Sequence, residues 1–217
     1  MQLVSVNVGQ EQSIQNGKKT ETSGIFKQPV VEPVEITPLG LKGDTIIDTQ
    51  HHGGPDQAVY VYGAADYDYW SSALGNVVLP GTFGENLTIS ELESAKFLIG
   101  DHLVIGQVIL EVTCPRNPCG TLAARMGDPQ FVKRFRYAER PGLYCRVIQG
   151  GRVLTGAVVA WEQYTGEAVP AIELFRSFYE PQLSEAVLRH QLAAPIAIRA
   201  RIEKEAQLSK LLGNTPV

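Results

Sequence analysis

The chain has 217 residues, 44% of them hydrophobic and 19% charged, which fits one large globular domain with at most a small appendage. Its formal net charge of −4 provides no global attraction to nucleic acid or anionic lipid, and no apolar run is long enough to span a bilayer. Three cysteines are an odd number and too few for a disulfide scaffold, and residues 1–8 lack the basic start and apolar stretch of a signal peptide, so a cytoplasmic protein is expected.

Residues 3–8 alternate apolar and polar and predict a first strand. Residues 30–39 read as a second, edged by Pro29, Pro33 and Pro38 and therefore at an edge or bent. A glycine-rich segment follows: Gly40-Leu41-Lys42-Gly43-Asp44, then Asp48, then His51-His52-Gly53-Gly54-Pro55-Asp56. Its glycines let backbone N–H groups approach an anion, and Asp44 and His52 could bond a polar ligand. It could equally be a long turn. A metal set of Asp44, Asp48, His51 and His52 lacks diagnostic spacing.

Residues 58–62 predict a compact apolar strand ended by Gly63. Residues 64–74 predict a helix with Tyr67, Trp70 and Leu74 on one stripe. Residues 81–87 form a ligand loop around Asn86 or a tight turn into the strand at 85–90. Strands at 102–105 and 108–113 flank Gly106-Gln107 as a hairpin, and strands at 143–148 and 152–154 flank Gly150-Gly151 as a second. Between these hairpins lie short helices at 122–126 and 128–136, the latter with Asp128 as N-cap and Pro129 at its first position. A strand at 157–161 closes the series. Many short strands with frequent turns indicate a sandwich or closed barrel. After residue 166 the texture becomes helical: residues 170–179, a helix capped by Ser184, and a longer one from Pro195 to Gly213. The expected organisation is a β-rich domain over 1–165 and a three-helix extension over 166–217.

The run Thr113-Cys114-Pro115-Arg116-Asn117-Pro118-Cys119-Gly120 carries the most chemical information. Two prolines stiffen the loop, and Arg116 lies three residues before Cys119. A nearby cation favours thiolate, the form that attacks electrophiles or binds a soft metal. The alternative is a small buried hydrophobe. Five cations follow nearby, Lys133, Arg134, Arg136, Arg140 and Arg146, and point to a local anion site or, for Lys133 and Arg134, a solvated helix face. His102 and His190 read as structural or surface residues and Cys145 as core.

In order along the chain, Val6-Asn7-Val8-Gly9, Gly24-Ile25-Phe26-Lys27, Gly40-Leu41-Lys42-Gly43-Asp44, His52-Gly53-Gly54-Pro55-Asp56-Gln57-Ala58-Val59-Tyr60, Gly84-Glu85-Asn86-Leu87, Pro115-Arg116-Asn117-Pro118-Cys119 and Pro141-Gly142-Leu143-Tyr144-Cys145-Arg146-Val147 resemble the MOSC family, named for the C-terminal domain of molybdenum cofactor sulfurases, and its YiiM-type members. The tail from Pro170 resembles their three-helix extension. The resemblance implies a mainly β, α+β fold: a MOSC-type β-barrel with a few inserted helices and a small helical appendage. It also implies a molybdenum cofactor (molybdopterin), with Cys119 as metal ligand and catalytic residue, and reduction of N-hydroxylated compounds such as N-hydroxylated purines to amines. Arg116 is the first candidate for the pterin phosphate, with Lys27 and Arg146 behind it. Asp44, Asn86 and His52 would contact pterin or substrate, and His52 would supply a proton. The alternative is a sulfur-transfer or cofactor-handling protein carrying a persulfide on Cys119. No flavin, haem or iron–sulfur signature is evident, so the expected partners are a small-molecule substrate and a separate electron-donor protein. A homodimer is compatible with the helical appendage.

Overall fold

The structure, a computed structural model, describes residues 1–47 and 53–213. An eight-stranded sheet carries most of the strand content. Its members are β1 (Leu3–Gly9), β4 (Lys27–Pro29), β7 (Val59–Gly63), β8 (Leu87–Ile89), β9 (His102–Ile105), β10 (Val108–Pro115), β11 (Leu143–Gln149) and β13 (Ala160–Glu162). Their order across the sheet is β13-β9-β10-β11-β7-β8-β1-β4. All neighbours are antiparallel except β7 and β8. The run Val-Tyr-Val-Tyr-Gly of β7 is buried along its whole length, as a central strand covered on both faces requires.

The fold is mainly β as expected, but the ladder is not a closed barrel. The chain just before β13 returns to the start of β1, where Gln2 and Val158 form an isolated bridge and Leu3 N–H donates to the Ala157 carbonyl at 2.9 Å. The sheet therefore curls until its ends meet through a few bonds rather than a strand pair.

Three local expectations need correction. Residues 30–39 do not form one strand: the prolines withhold donors, only β5 (Val34–Thr37) is strand, and residues 30–33 link it to β4, which ends at Pro29. The stretch around Gly150 is not a hairpin. β12 (Gly151–Val153) pairs with β5, which also pairs with β6 (Gly40–Leu41), in a separate three-stranded sheet. Gly150 passes so close to the Ile36 carbonyl that a Cβ would lie 2.6 Å from its oxygen, so glycine carries the chain from one sheet to the other. Third, the helix expected from Asp128 begins as α3 at Phe131–Ala138. The Asp128 carboxylate accepts the Gln130 N–H at 2.8 Å and holds the intervening residues in a turn.

An unanticipated polar hairpin, β2 (Gln12–Asn16) and β3 (Lys19–Ser23), buries little beyond Ile14. Its turn is the two-residue loop Gly17-Lys18, with Gly17 at φ 60°. The remaining helices are α1 (Ala64–Leu74), α2 (Gly120–Met126), α4 (Ala171–Ser177), α5 (Glu185–Ala193) and α6 (Ile198–Leu211). Ser184 caps α5 by accepting the Val187 N–H at 3.3 Å. The helical tail shares the sheet's aliphatic core through Val169, Leu174 and Ile196.

A second, aromatic core lies beneath α1 and α3. Trp70 contacts Phe83, Phe131 and Phe135, and its Nε1–H donates to the Tyr62 hydroxyl at 2.8 Å. Truncating this 1%-exposed ring leaves a large void and removes a donor from that hydroxyl, which keeps its bond to the Arg140 carbonyl. Trp70→Ala is expected to cost about 3–5 kcal/mol, measured by urea unfolding.

Candidate functional site

Pro115 ends β10, and the following loop brings Cys119 to the N-cap of α2 with extended backbone (φ −121°, ψ 170°). The loop is held from beneath by Arg116, which is 4% exposed. Its Nη1 donates to the Phe83 carbonyl at 2.6 Å, its guanidinium lies 4.9 Å from the Tyr60 ring centroid, and it hydrogen-bonds the Cys119 side chain. Arg116 thus joins the cysteine loop, the 81–87 loop and the central strand β7. Gly84 permits this approach: a Cβ there would lie 2.9 Å from Ile25 Cγ1 and 3.4 Å from Arg116 Nη1, and its φ of 76° disfavours side chains.

Cys119 and Arg116 face an open cleft with about 760 Å³ of empty space, solvent at the mouth included. That size suits a small-molecule ligand. Lys27 and Asn86 complete the floor, Tyr60 and Tyr144 one wall, and the β2–β3 hairpin another through Glu21, Thr22 and Ser23. Gly53 and Gln57 border the remaining side. Burial pushes the Tyr144 hydroxyl up to about 12, with Arg116 opposing, so it keeps its proton at neutral pH.

Asp44 holds this floor together from behind. Both of its oxygens contact Lys27 Nζ, at 2.5 and 2.6 Å. It also accepts the Gly9 N–H at 2.7 Å and the Asn86 amide at 2.9 Å, and the other end of Asn86 accepts the Tyr60 N–H at 3.1 Å. Burial lowers the pKa of Lys27 while Asp44 opposes that shift.

The structure brings together Cys119, Arg116, Lys27 and Asn86, with Asp44 as their support. Arg146 does not join them. Strand β11 turns it to an ion pair with Asp56 at 3.0 Å and another with Glu111 at 3.2 Å, and it donates to the Pro195 carbonyl. The expected anion cluster is likewise dispersed: Arg134 pairs with Asp128, Arg140 pairs with Asp66, and Arg136 lies over Tyr179. Each of these three arginines finds a local partner outside the cleft. His52, with His51 and Asp48, lies outside the described residues. Among the described residues no His, Cys, Asp and Glu group could hold a metal by itself. Tyr60, Tyr144, Gln57 and the β2–β3 hairpin were missed in the sequence. The aromatic residues looked like core, which they also are, and the hairpin lacked an apolar face.

The three cysteines separate by environment. Cys114 and Cys145 are buried, and burial pushes Cys114 up to about 11 and Cys145 higher. Cys119 is partly exposed.

Fold and cleft together define a mainly β domain that presents one accessible cysteine to a cation-floored hollow. The MOSC domain model matches residues 48–160. Bacillus subtilis YflK is 37% identical over 156 residues, covering 71% of this chain and 70% of that protein. A Gibberella moniliformis protein named Reductase is 33% identical over 145 residues, where this chain spans 25% of its length. The crystal structure of YiiM from Geobacillus stearothermophilus superposes with a TM-score of 0.79 at 27% identity, covering 95% of this chain and 98% of that one. The chain belongs to the MOSC domain family and is YiiM-like. No described helix is long and apolar enough to cross a membrane.

Two outcomes follow from this geometry. In the native protein iodoacetamide is expected to label Cys119, read by peptide mass spectrometry, with Cys114 and Cys145 labelled at comparable rates after unfolding. Asp44→Asn leaves Lys27 buried without its counter-charge. It is expected to cost about 3–5 kcal/mol in urea unfolding, with part of it recovered in the Lys27→Met, Asp44→Asn double variant, which removes the unpaired charge and keeps an acceptor for the Gly9 N–H.

Proposed function

We propose that the cleft holds a pterin-bound molybdenum cofactor and that the protein reduces N-hydroxylated compounds to amines. The observation carrying this reading is the position of Cys119. Of the three cysteines it is the one that reaches the cleft, and it does so beside a buried guanidinium. The residues fit the group. A cysteine sulfur suits a soft-to-intermediate metal. Arg116 and Lys27 place two cations on the floor where a pterin phosphate needs them. The buried Arg116 Nε has no partner among the described residues, so the guanidinium retains a donor. Membership of the MOSC family and the name Reductase on one relative support the same direction.

When bound, molybdenum would supply the two-electron redox chemistry. In the overall change the N–O bond breaks, two electrons and two protons enter, and the oxygen leaves as water. We assign the electrons to a separate donor protein and the proton-donor role to His52, on its imidazole chemistry. Cys119 would hold the metal, Arg116 and Lys27 would orient the anionic end of the pterin, and Asn86 would fix the floor between them. The Tyr60–Tyr144 wall would exclude water from one side.

The test is metal and pterin analysis of protein made in a host that synthesises the cofactor. Wild type is expected to carry near-stoichiometric molybdenum and to reduce an N-hydroxylated purine with a chemical electron donor. Cys119→Ser is expected to lose both while keeping its melting temperature, and Cys114→Ser to keep both. Metal-free wild type, or full activity in Cys119→Ser, would overturn the proposal. A persulfide mass on Cys119 with no reductase activity would favour sulfur transfer instead.

A further inference from the structure

We infer that Asp56 is a positioning residue through which the C-terminal helix α6 holds one wall of the cleft. The inference concerns that wall whatever the cleft binds, and so reaches beyond the proposed chemistry. Asp56 lies in a short 3₁₀ turn, Pro55–Gln57, directly before β7. One ion pair and two hydrogen bonds reach it from three elements. One carboxylate oxygen pairs with Arg146 Nε on β11 at 3.0 Å. The other accepts the backbone N–H of Ile198, the first residue of α6, at 2.6 Å. Its carbonyl accepts the Thr113 hydroxyl of β10 at 2.5 Å. The same register is repeated beside it, where the Ala197 N–H donates to the Thr113 carbonyl at 3.1 Å.

The neighbouring residues of this turn are cleft residues. Gly53 and Gln57 both line it. The Gln57 amide covers Cys114, with Nε2 3.5 Å from the sulfur, and its Oε1 is buried with no partner among the described residues. Gln57 therefore offers an acceptor at the wall, and its placement follows from the turn that Asp56 anchors. The first turn of α6 also packs Arg199 against Gly54, where a Cβ would lie 3.8 Å from Nη2. A negative side chain at the start of α6 is well matched to the unpaired N–H groups and the positive end of its dipole. The carboxylate is thus shared between a sheet arginine and a helix terminus, and the cleft wall is built on that shared contact.

The bond can be removed without removing either residue's fold. Ile198 is the first helical position, where proline is tolerated because its N–H has no intrahelical partner. Ala197 already has the extended backbone a proline requires of the residue before it (φ −53°, ψ 140°). The Ile198 side chain is 54% exposed. Ile198→Pro therefore deletes the donor to Asp56 while leaving α6 intact. Cys114 under Gln57 reports the wall, and Cys145, fully buried on β11, reports general opening of the sheet. In full-length native protein, Ile198→Pro and Asp56→Ala are expected to raise the alkylation rate of Cys114 roughly tenfold or more. Cys145 labelling and helical circular dichroism should not change. Ile198→Ala, which keeps the N–H, is expected to match wild type. The assignment is overturned if Cys114 is unaffected in Ile198→Pro, if Cys114 and Cys145 accelerate together, or if Ile198→Ala behaves like Ile198→Pro.

Discussion

Behind the cleft floor the Asp44 carboxylate accepts hydrogen from three separate parts of the chain: Gly9 at the end of β1, Lys27 at the start of β4 and Asn86 at the approach to β8. Both ends of the Lys27–Asp44 pair are nearly sealed, at 7% and 4% side-chain exposure. A buried ion pair adds little net stability over a hydrophobic replacement, but it is costly to leave half made. Its effect is to select one arrangement of these segments. With that arrangement Lys27 is presented to the cleft with its counter-charge behind it, and Asn86 is held at both ends of its amide. The polar floor exists because this carboxylate has no other way to be satisfied.

The rest of the site is built outward from that floor. Arg116 is anchored by the Phe83 carbonyl and the Tyr60 ring, so the loop bearing Cys119 cannot drift from the sheet. Tyr62 and Phe83 stack at 4.6 Å above the Trp70 cluster, which stiffens the 81–87 loop from below. Charge and accessibility then divide labour among the cysteines. Two thiols are kept neutral by burial, and one is placed at the surface of the hollow beside a cation. The helical tail belongs to the same structure: it contributes to the aliphatic core and meets the glycine-rich segment at Asp56.

Much of this was legible in residue patterns. The apolar run of β7, the Gly106-Gln107 hairpin, the stripe of α1 and the Ser184 cap depend on neighbours within a few positions, and local sterics and hydrogen bonding decide them. The Gly150 turn misled because glycine permits both a hairpin and a crossing. The choice was made by Ile36, more than a hundred positions away in sequence. The β2–β3 hairpin escaped notice because both of its faces are polar, although Gly17 marked its turn. The candidate site was half legible. The stiffened cysteine loop and the MOSC pattern indicated Cys119, Arg116, Lys27, Asp44 and Asn86, but not that Asp44 supports the others from behind.

Composition, proline placement and motif order were enough to determine a β-rich chain, its helical tail, its family and the cysteine with chemical promise, because each rests on residue type and short-range spacing. Tertiary structure alone decided which cations serve the cleft. Lys27 faces it with Asp44 behind, and Arg116 is held there by the Phe83 carbonyl and the Tyr60 ring. Arg146 does not face it, because Asp56 and Glu111 take it up in ion pairs at 3.0 and 3.2 Å. Charge is a property of the residue, but the partner that captures it is a property of distance in the folded chain, and Coulomb attraction within a low-dielectric interior follows that distance.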